Sequence, residues 1–397
     1  MIVMSKWREC NLDEVTTIIG DGLHGTPQYE DNGEYYFING NNLNNGKIVI
    51  KPDTNKVNEQ EYLKHKKPLS HKTILISING TIGNLAFYHD EKCMLGKSAC
   101  YINASDTIDR AFLYYVFLDG DFQNYLIETA TGTTIPNVPL KGLRKYSFKY
   151  PPLPEQKAIA GVFSSLDDKI DLLHQQNKTL EAMAEALFRQ WFVEPCRDSL
   201  PEGWDEKPLS FFGKIICGKT PSKNIQQYFD GLIPFIKIPD MHGNTFLFRT
   251  SDSLTETGKL SQDNKTLPPK SICVSCIATV GLVSMNAIES QSNQQINSII
   301  PYEDYYRYFL YLTMKTSCEQ LQAMASGGTA TLNLNTGDFS NIPILCPNTI
   351  TLMDFNNKLE HIFDKIFHNQ YQIFTIEKLR DTLLPKLMSG EVRVKEV

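Results

Sequence analysis

Residues 213–220 carry the spacing with which a phosphate-binding loop holds a nucleotide, Gly-x-x-x-x-Gly-Lys-Thr. In such a loop the backbone amides contact the phosphates and a helix follows at once. Here Pro221 comes directly after the loop, and the next residues, SKNIQQYFD, lack the apolar period of a helix. The matching stretch of the N-terminal half, between Gly20 and Thr26, has no lysine. A nucleotide-binding enzyme is therefore kept as an alternative of a different class, and Lys219 is interpreted as a cationic loop residue.

Cys273 and Cys276 have the spacing of one pair of zinc ligands. A structural zinc site needs a second ligand pair, and the sequence offers none nearby. The matching positions of the N-terminal half are Leu75 and Ile78. We therefore predict two buried strand cysteines and no metal site.

Other active-site signatures are missing from the sequence. It has neither the Asn/Asp-Pro-Pro-Tyr motif of adenine methylases nor a Gly-x-Gly-x-x-Gly fingerprint. Asp53 and Asp240 each follow a proline, but no Glu-x-Lys lies at a useful distance for a nuclease. The residues predict a chain without catalytic activity of its own.

Composition is that of a folded globular protein with a slight negative charge. The 397 residues are 41% hydrophobic and 11% aromatic, and the formal net charge is −6. This charge argues against a broadly basic surface, so contact with a polyanion must come from local clusters. Nine cysteines at irregular spacing indicate a reducing compartment. Because no apolar run is long enough for a membrane span or a signal peptide, we predict a cytoplasmic protein.

Three polar clusters could provide such local contacts. Lys64-His65-Lys66-Lys67, with His71-Lys72 beside it, could bind phosphates or form a solvated charge run. The asparagines of residues 39–45 could read adenine through paired hydrogen bonds, although Asn-Gly pairs are also ordinary turn chemistry. The amides of residues 291–295 precede an apolar strand and suit the recognition of base edges.

The chain repeats itself at a distance of 196 residues, too long a period for a solenoid. The matching motifs are Asp168-Lys169-Ile170 and Asp364-Lys365-Ile366; Ser77-x-x-x-Thr81-Ile82-Gly83 and Ser275-x-x-x-Thr279-Val280-Gly281; Thr131-Gly132-Thr133-Thr134…Asn137 and Ser326-Gly327-Gly328-Thr329…Asn333. The two copies share scaffold motifs and differ almost everywhere else. This indicates a duplicated domain-plus-helix unit with two different reading surfaces.

Within each copy a β-rich domain precedes a long helix. Runs such as YYFINGNNLNNGKIVI and KTILISINGTIGNLAFYH predict strands and turns, and residues 109–130 are helix-like. We predict an α/β (α+β) fold with an internal pseudo-twofold repeat. Its segments are a domain at 1–150, a central helix at 151–196, a second domain at 197–347 and a C-terminal helix at 348–397.

Both helical segments carry apolar residues that alternate at spacings of four and three. Such heptad seams predict that the two helices pack as an antiparallel coiled coil, with Asn177 and Asn369 near the middle fixing the register. The alternative is an amphipathic helix lying on its own domain. The principal seam positions are Phe163, Ile170, Leu173, Asn177, Leu180 and Leu187 in the first helix, and Ile362, Ile366, Asn369, Ile373, Ile376 and Leu383 in the second.

On this plan the chain resembles the DNA-specificity subunit of type I restriction-modification systems over essentially its whole length. The resemblance rests on PPLPEQKAIAGVFSSLDDKIDLL and LRDTLLPKLMSGEV, and on a Thr-Pro motif in each domain at residues 25–27 and 219–222. An aromatic-Ile strand follows, then the repeated Ser…Thr-Ile/Val-Gly turn. The second copy departs with CPNTITLMDFNN in place of PPLPEQKAIAGV.

The resemblance implies a non-catalytic reader of double-stranded DNA in which each domain recognises half of a split site. Two methyltransferase subunits and motor-nuclease subunits would be its partners. They, and not this chain, would use S-adenosylmethionine, ATP and magnesium. A specificity subunit of a fused methylase-nuclease system and a scaffold without a DNA role remain alternatives. The candidate DNA contacts are Asn39, Asn41, Asn42, Lys64, Lys66, Lys67, Lys72, Asn79, Lys219, Ser222, Lys223, Lys237, Arg249, Asn293, Gln294 and Gln295.

Overall fold

The computed structural model describes residues 7–132, 134–326 and 332–394. Thr133 and the Gly327-Gly328-Thr329 part of the third repeated motif lie outside them. The chain forms two compact units. The first unit combines the residues up to Asp168 with those from Glu377 onward, and the second unit runs from Lys169 to Ile376. The boundary falls inside both long helices, whereas the predicted segments kept each helix whole. Those segment bounds stay a prediction.

The first 150 residues contribute eleven strands and four short helices to the first unit, counted over the described part. The strands are β1 (Arg8–Asn11), β2 (Thr16–Asp21), β3 (Tyr35–Ile38), β4 (Leu43–Asn44), β5 (Lys47–Ile48), β6 (Lys56–Val57), β7 (Thr73–Asn79), β8 (Thr81–Phe87), β9 (Cys93–Leu95), β10 (Ala99–Ala104) and β11 (Ser147–Tyr150). The helices are α1 (Glu59–His65), α2 (Arg110–Leu118), α3 (Gly120–Thr129) and α4 (Leu140–Arg144).

The central helix is α5 (Leu153–Phe188), and the second β-rich segment follows it. The strands of that segment are β12 (Asp205–Pro208), β13 (Gly213–Cys217), β14 (Phe229–Ile236), β15 (Phe246–Leu247), β16 (Asp252–Leu254), β17 (Ile272–Ser275), β18 (Val283–Asn286), β19 (Gln291–Ser292), β20 (Ile296–Pro301) and β21 (Pro343–Cys346). The helices are α6 (Ile238–Met241), α7 (Glu256–Leu260), α8 (Arg307–Thr316), α9 (Cys318–Ala325), α10 (Thr336–Ser340) and α11 (Thr349–Met388).

The sheets of the two β-rich segments, called domain 1 and domain 2 below, correspond one to one. In domain 1 the sheets have the orders β1-β11, β2-β10-β7-β8 and β6-β3-β9, besides a small β4-β5 hairpin. In domain 2 the orders are β12-β21, β13-β20-β17-β18-β15 and β16-β14-β19. Each three-stranded sheet has one antiparallel and one parallel pairing. The predicted internal repeat is thus present in the strand pairing.

The repeated Ser…Gly motif forms the β-turn region of one hairpin in each domain. The hydroxyl oxygen of Ser77 accepts a hydrogen bond of 2.8 Å from the backbone N–H of Asn84, and Ser275 accepts one of 2.9 Å from Leu282. Gly83, in the first half of β8, and Gly281, just before β18, have φ angles of 88° and 98°. Such backbone favours glycine because a Cβ would be strained there. The motif is therefore structural.

Helix α5 ends earlier than the sequence predicts. The predicted central helix extends to residue 196, but regular α-helix stops at Phe188 and a π-helical turn covers Arg189–Val193. The wider turn allows Phe192 to join Phe188 in the core of the second unit, where their ring centroids lie 5.5 Å apart. Burial of these two rings therefore outweighs the ideal helical period.

The two long helices pair antiparallel within each unit. In the second unit Asn177 contacts Asn369 and Phe188 contacts Phe355. In the first unit Asp167 pairs with Arg380, and Ile159 and Phe163 share a core with Leu384 and Leu387. The buried seam residues are Phe163, Ile170, Leu173, Asn177, Ile366, Asn369 and Ile373, and the half-buried ones are Leu180, Leu187, Ile362, Ile376 and Leu383.

The seam is less separate from the domains than a free coiled coil would be. Among the residues that the structure describes, only Ile170, Leu173 and Ile373, with Ile376 against them, form a cluster made of long-helix residues alone. Phe163 belongs to the core of domain 1, and Ile366 to that of domain 2. Each long helix therefore packs both on the other helix and on a domain, so the two sequence alternatives describe parts of one arrangement.

Candidate nucleic-acid interface

Three segments of domain 1 meet beside the Thr-Pro loop, residues 24–27, which follows β2. The backbone N–H of Leu23 donates to the carbonyl of Leu95 at 2.7 Å, which attaches the loop to the end of β9. The N–H of Gly96 donates to the carbonyl of Ile38 at 2.8 Å, at the end of β3. Backbone hydrogen bonds therefore set the position of the loop.

The same three segments meet in domain 2 around its Thr-Pro loop, residues 219–222. The N–H of Lys219 donates to the carbonyl of Ser292 at 2.9 Å, and the N–H of Asn293 donates to the carbonyl of Ile236 at 3.1 Å. The two loops thus occupy the same place in the same sheet framework, although the residues around them differ.

A glycine before each loop permits this close approach. A Cβ on Gly22 would lie 2.2 Å from the carbonyl oxygen of Leu95, and one on Gly218 would lie 2.2 Å from that of Asn293. No side chain fits at these distances. The prolines of the two motifs, Pro27 and Pro221, are buried. Packing therefore requires the glycine and the proline of each loop. The residues between them differ between the two domains.

In domain 1 these segments enclose an open cleft of about 490 Å³. It is lined by Leu23, His24, Gly25, Thr26, Phe37, Asn39 and Lys97. His24, Thr26 and Lys97 are exposed, whereas Asn39 is half-buried and its amide oxygen accepts a hydrogen bond of 2.9 Å from Ser98. Among the exposed groups at the cleft, the ammonium of Lys97 only donates hydrogen bonds, whereas the hydroxyl of Thr26 donates and accepts them.

In domain 2 the equivalent place holds an amide. The hydroxyl of Thr220 donates to the side-chain oxygen of Gln294 at 2.8 Å, which fixes the orientation of this exposed amide. Lys219 beside it is also exposed. Gly96 and Asn293 are equivalent because each donates the same backbone hydrogen bond, to Ile38 and Ile236 respectively. The residues that follow them, Lys97 in domain 1 and Gln294 in domain 2, are therefore equivalent as well.

Most of the amide run 291–295 is not available at the surface. Gln291 is fully buried and donates to the carbonyls of Lys259 and Gln262. Asn293 is 7% exposed and its amide donates to Gln295 at 2.9 Å. This run includes β19, which pairs with β14. The side-chain amides of Gln291 and Asn293 therefore form hydrogen bonds within the domain and are not free to contact a ligand. Of the three candidates Asn293, Gln294 and Gln295, only Gln294 is exposed, and Gln295 is half-buried.

The asparagine turn of domain 1 is also largely structural. Asn42 is 4% exposed; its oxygen accepts from the N–H of Asn39 at 3.0 Å and its amide donates to Val49. Asp240 does the same for the N–H of Lys237 in domain 2, at 2.8 Å. Asn45-Gly46, with φ angles of 46° and 77°, forms the β4-β5 hairpin turn.

Two other asparagines of domain 1 differ in exposure. Asn41 stays exposed, in the 3₁₀ turn Gly40–Asn42. Asn79 is half-buried and donates to Asn137 at 3.2 Å. The structure therefore leaves Asn41, and not Asn79 or Asn42, with its side chain at the surface.

The cationic cluster of domain 1 lies at the end of α1 and is partly neutralised. Lys64 pairs with Glu61 at 3.2 Å, and this hydrogen bond, with a second one from the backbone N–H of Gln28, lowers the pKa of Glu61. Lys72 pairs with Asp106. Gln28 follows the Thr-Pro loop directly, so α1 and the loop are neighbours in the fold.

The remaining lysines differ in exposure. Lys66 is exposed, with its ammonium 5.8 Å from the ring centre of Tyr62, and Lys67 is half-buried. In domain 2 Lys223 and Ser222 are exposed beside the Thr-Pro loop. An exposed lysine thus lies at the end of α1 in domain 1, and another lies directly after the Thr-Pro loop in domain 2.

Two candidates of domain 2 have other contacts. Lys237 pairs with Asp252. The guanidinium of Arg249 lies 5.9 Å from the ring centre of Phe374, on α11. These residues are therefore engaged within the second unit.

The look-alike motifs have structural explanations. Gly213–Cys217 is strand β13, paired with β20 over its whole length, so it is not a loop that enters a helix. Cys273 lies buried in β17, and Cys276 is buried directly after it. Burial raises the pKa of Cys273 to about 12 and that of Cys276 to about 11. Within the described ranges, no group of three or more His, Cys, Asp or Glu could hold a metal ion.

Lys97 and His24 were not among the predicted contacts. Lys97 stands alone in the sequence, inside MLGKSACYI, and gives no cluster signal. Aligning Gly96-Lys97-Ser98 with Asn293-Gln294-Gln295 through the internal repeat would have identified it. His24 precedes the Thr-Pro motif by one glycine, so its exposure depends on the conformation of the loop.

Comparison with known proteins also shows a domain that occurs twice along the chain. The family model of the type I restriction modification DNA specificity domain matches residues 4–182 and 201–373. The HindI type I restriction enzyme specificity subunit of Haemophilus influenzae is 36% identical over 71% of this chain and 77% of its own length. The MjaIX specificity subunit of Methanocaldococcus jannaschii is 28% identical over 82% and 78%.

A solved structure supports the fold. The crystal structure of the type I restriction-modification S subunit from M. genitalium aligns with a TM-score of 0.60 at 17% identity, covering 98% of this chain and 97% of that one. No helix in the described part of the chain is long and apolar enough to cross a membrane. Since the family model matches twice, once in each half, the chain belongs to the family of type I restriction-modification DNA specificity subunits.

Proposed function

We propose that this chain reads a bipartite DNA site, with domain 1 recognising one half and domain 2 the other. The observation that carries the proposal is the pair of Thr-Pro loops, which the same backbone contacts hold in both domains while the exposed side chains differ. A shared frame with different side chains is what two unlike half-sites require. The proposed base contacts are Lys97 and Thr26 in domain 1, and Gln294 and Lys219 in domain 2.

The chemistry of the two sets differs. A lysine ammonium only donates hydrogen bonds, and it suits the O6 and N7 acceptors of guanine in the major groove. A glutamine amide both donates and accepts, and it suits the N6 and N7 edge of adenine. Exposed cations near each loop, among them Lys66 and Lys223, would contact phosphates and position the protein without reading sequence.

We further propose that this chain has no catalytic activity and directs partner subunits. Two methyltransferase subunits would bind it, as would motor-nuclease subunits, and these partners would use S-adenosylmethionine, ATP and magnesium. Membership of the specificity-subunit family supports this division of labour. A fused methylase-nuclease partner would instead provide both activities in one chain, and co-purification of the partners would distinguish the two cases.

The test compares Lys97→Ala with Gln294→Ala in the reconstituted methyltransferase complex. Each substitution should lower discrimination at one base pair by about 5- to 150-fold, the equivalent of about 1–3 kcal/mol per base contact. The measurement is the sequence of methylated sites across a genomic DNA substrate. The two variants should relax opposite halves of the motif.

Lys145→Ala is the matched control because Lys145 is an exposed lysine of domain 1 that does not line the cleft. It should leave the methylated motif unchanged. If Lys97→Ala and Gln294→Ala relaxed the same half, or neither half, independent reading by these residues would be ruled out.

A further inference from the structure

A polar layer lies buried in the middle of the seam between α5 and α11. Asn177 is 5% exposed and Asn369 is fully buried. The amide of Asn369 donates hydrogen bonds to the side-chain oxygens of Asn177, at 2.9 Å, and Gln176, at 3.4 Å. The amide nitrogen of Asn177 and the side-chain oxygen of Asn369 have no hydrogen-bond partner among the described residues. The layer is thus only half satisfied.

The neighbouring layers are apolar. Ile170, Leu173 and Ile373 form one buried cluster, with Ile376 packed against it. A buried polar atom without a partner lowers stability, whereas replacing both members of such a pair by apolar groups can be neutral or stabilising. The asparagine pair therefore costs stability that leucine or isoleucine would not.

The internal repeat shows that the asparagine pair makes α5 and α11 different from each other at the middle of the seam. A shift of 196 positions carries Asn177 onto Ile373, and it carries Leu173 onto Asn369. Each asparagine thus has an apolar residue at the matching position of the other helix. The polar layer breaks the pseudo-twofold symmetry of the seam beside an apolar cluster of Ile170, Leu173 and Ile373.

This asymmetry matters because α5 and α11 are similar enough to pair with themselves. If α5 paired with α5 of a second copy in the same antiparallel register, Asn177 would face Leu173 of that copy. If α11 paired with α11, Asn369 would face Ile373. The α5–α5 pairing buries Asn177 against leucine with no partner. The α11–α11 pairing leaves Asn369 only Gln372, the repeat image of Gln176, as an amide neighbour. Only the pairing of α5 with α11 joins the two asparagines.

We propose that the Asn177–Asn369 layer selects the partner of each helix, so that α5 pairs with α11 and not with a second copy of this chain. A single polar layer is known to set partner and register in coiled coils at a cost in stability. Here the layer rejects exchange between copies, which the repeated sequence would otherwise permit. The inference does not depend on what the domains bind.

The test uses the full chain with Asn177→Ile and Asn369→Leu together, which makes the polar layer identical to its repeat image. The variant and the unaltered chain are unfolded, refolded at a series of concentrations and examined by sedimentation velocity. An exchanged dimer of the unaltered chain loses both Asn177–Asn369 hydrogen bonds and leaves two Asn177 side chains without a partner. Removing the asparagines should therefore strengthen dimer formation by on the order of 10²-fold. Refolding isotopically labelled and unlabelled copies together should yield lysine cross-links between Lys169 of one copy and Lys178 of the other.

The matched control moves the pair instead of removing it. Adding Leu173→Asn and Ile373→Asn to the same chain restores one asparagine pair on the other side of the centre, with unchanged composition at the four positions. This chain should dimerise as weakly as the unaltered one. Dimerisation of the symmetric variant no stronger than that of the unaltered chain would overturn the proposal, as would equal dimerisation of symmetric variant and control. Failure of the symmetric variant to fold would also overturn it, because the proposal requires the pair to cost stability.

Discussion

Domain 1 and domain 2 use one framework for two different surfaces. The sheet framework, the Ser…Gly hairpin and the glycine that admits the Thr-Pro loop are common to both, and each of them sets the course of the backbone. The exposed residues at the loops differ, with Lys97 in domain 1 where Gln294 stands in domain 2. Positions held by backbone packing and positions exposed to a ligand are thus separate, so a surface can change while the fold persists.

The contacts that attach the long helices to the domains differ in chemistry between the two units. In the first unit Tyr115 donates a hydrogen bond of 2.8 Å to Asp167, which also pairs with Arg380 at 2.9 Å. On the shift of 196 that the long helices share, Phe363 and Ala184 stand at the positions that match Asp167 and Arg380. There the rings of Tyr311 and Phe363 meet edge to face at 5.3 Å. A polar attachment and an apolar one therefore occupy equivalent sites.

The largest effect is expected at Gly22 and Gly218, the glycines that permit the close approach of each Thr-Pro loop. Substituting them tests whether both domains depend on the same backbone framework. Gly22→Ala and Gly218→Ala each place a Cβ against backbone, so each should lower the free energy of unfolding of its own unit by about 3 kcal/mol. Hydrogen exchange, resolved by segment, measures the two units separately. Gly25→Ala is the control, because nothing lies within 4 Å of its Cβ position. Equal tolerance of all three substitutions would refute the role of the glycines.

The comparison of the two attachments is sharpened by removing one hydroxyl at a time. Tyr115→Phe leaves the Asp167 carboxylate without its buried donor and should lower the stability of the first unit by about 1.5–3 kcal/mol. Tyr311→Phe loses only a hydrogen bond of 3.4 Å to Thr245 and should cost less than about 1 kcal/mol. Denaturant unfolding, followed in each unit by segment-resolved exchange, measures both. A larger loss for Tyr311→Phe would show that the attachments are not polar and apolar as described.

The smallest expected effect concerns the cations near the loops. Lys66→Ala in domain 1 and Lys223→Ala in domain 2 should each weaken DNA binding uniformly across sequences and reduce the salt slope of log K by about 0.9. Fluorescence titration of the reconstituted complex at several salt concentrations measures the slope. A change in the preferred sequence with an unchanged slope would instead mark either lysine as a base reader.

Periodic and repeated features of this fold could be predicted from the sequence. The two long helices, the strands around Ser77 and the internal repeat follow from spacings that burial imposes on a chain. The end of α5 could not be predicted, because the packing of Phe192 in the second core decides it. Helix periodicity describes one element, whereas this contact depends on a distant part of the chain.

The candidate contacts were harder to predict for a related reason. Residue type indicates that an amide can bind a base, but not which way its strand faces. Gln291 and Asn293 are directed inward because β19 and its flanking turn pair with β14, and Asn42 is used to cap a turn. Lys97 gives no signal in its own stretch of sequence. The fold places it at the cleft by bringing Leu23 and Asn39, which are distant in sequence, to line the same cleft.

The division of the chain into units has a consequence for its synthesis. The second unit is one continuous segment, whereas the core of the first unit needs Leu384, Leu387 and Met388 from the far end of the sequence. At a translation rate of roughly 5–20 residues per second, the segment between the two parts of the first unit takes about 10–40 s to make. During that interval Ile159 and Phe163 are already synthesised, but the C-terminal residues that share their core are not. The part of the protein that is made first is therefore the last to be completed.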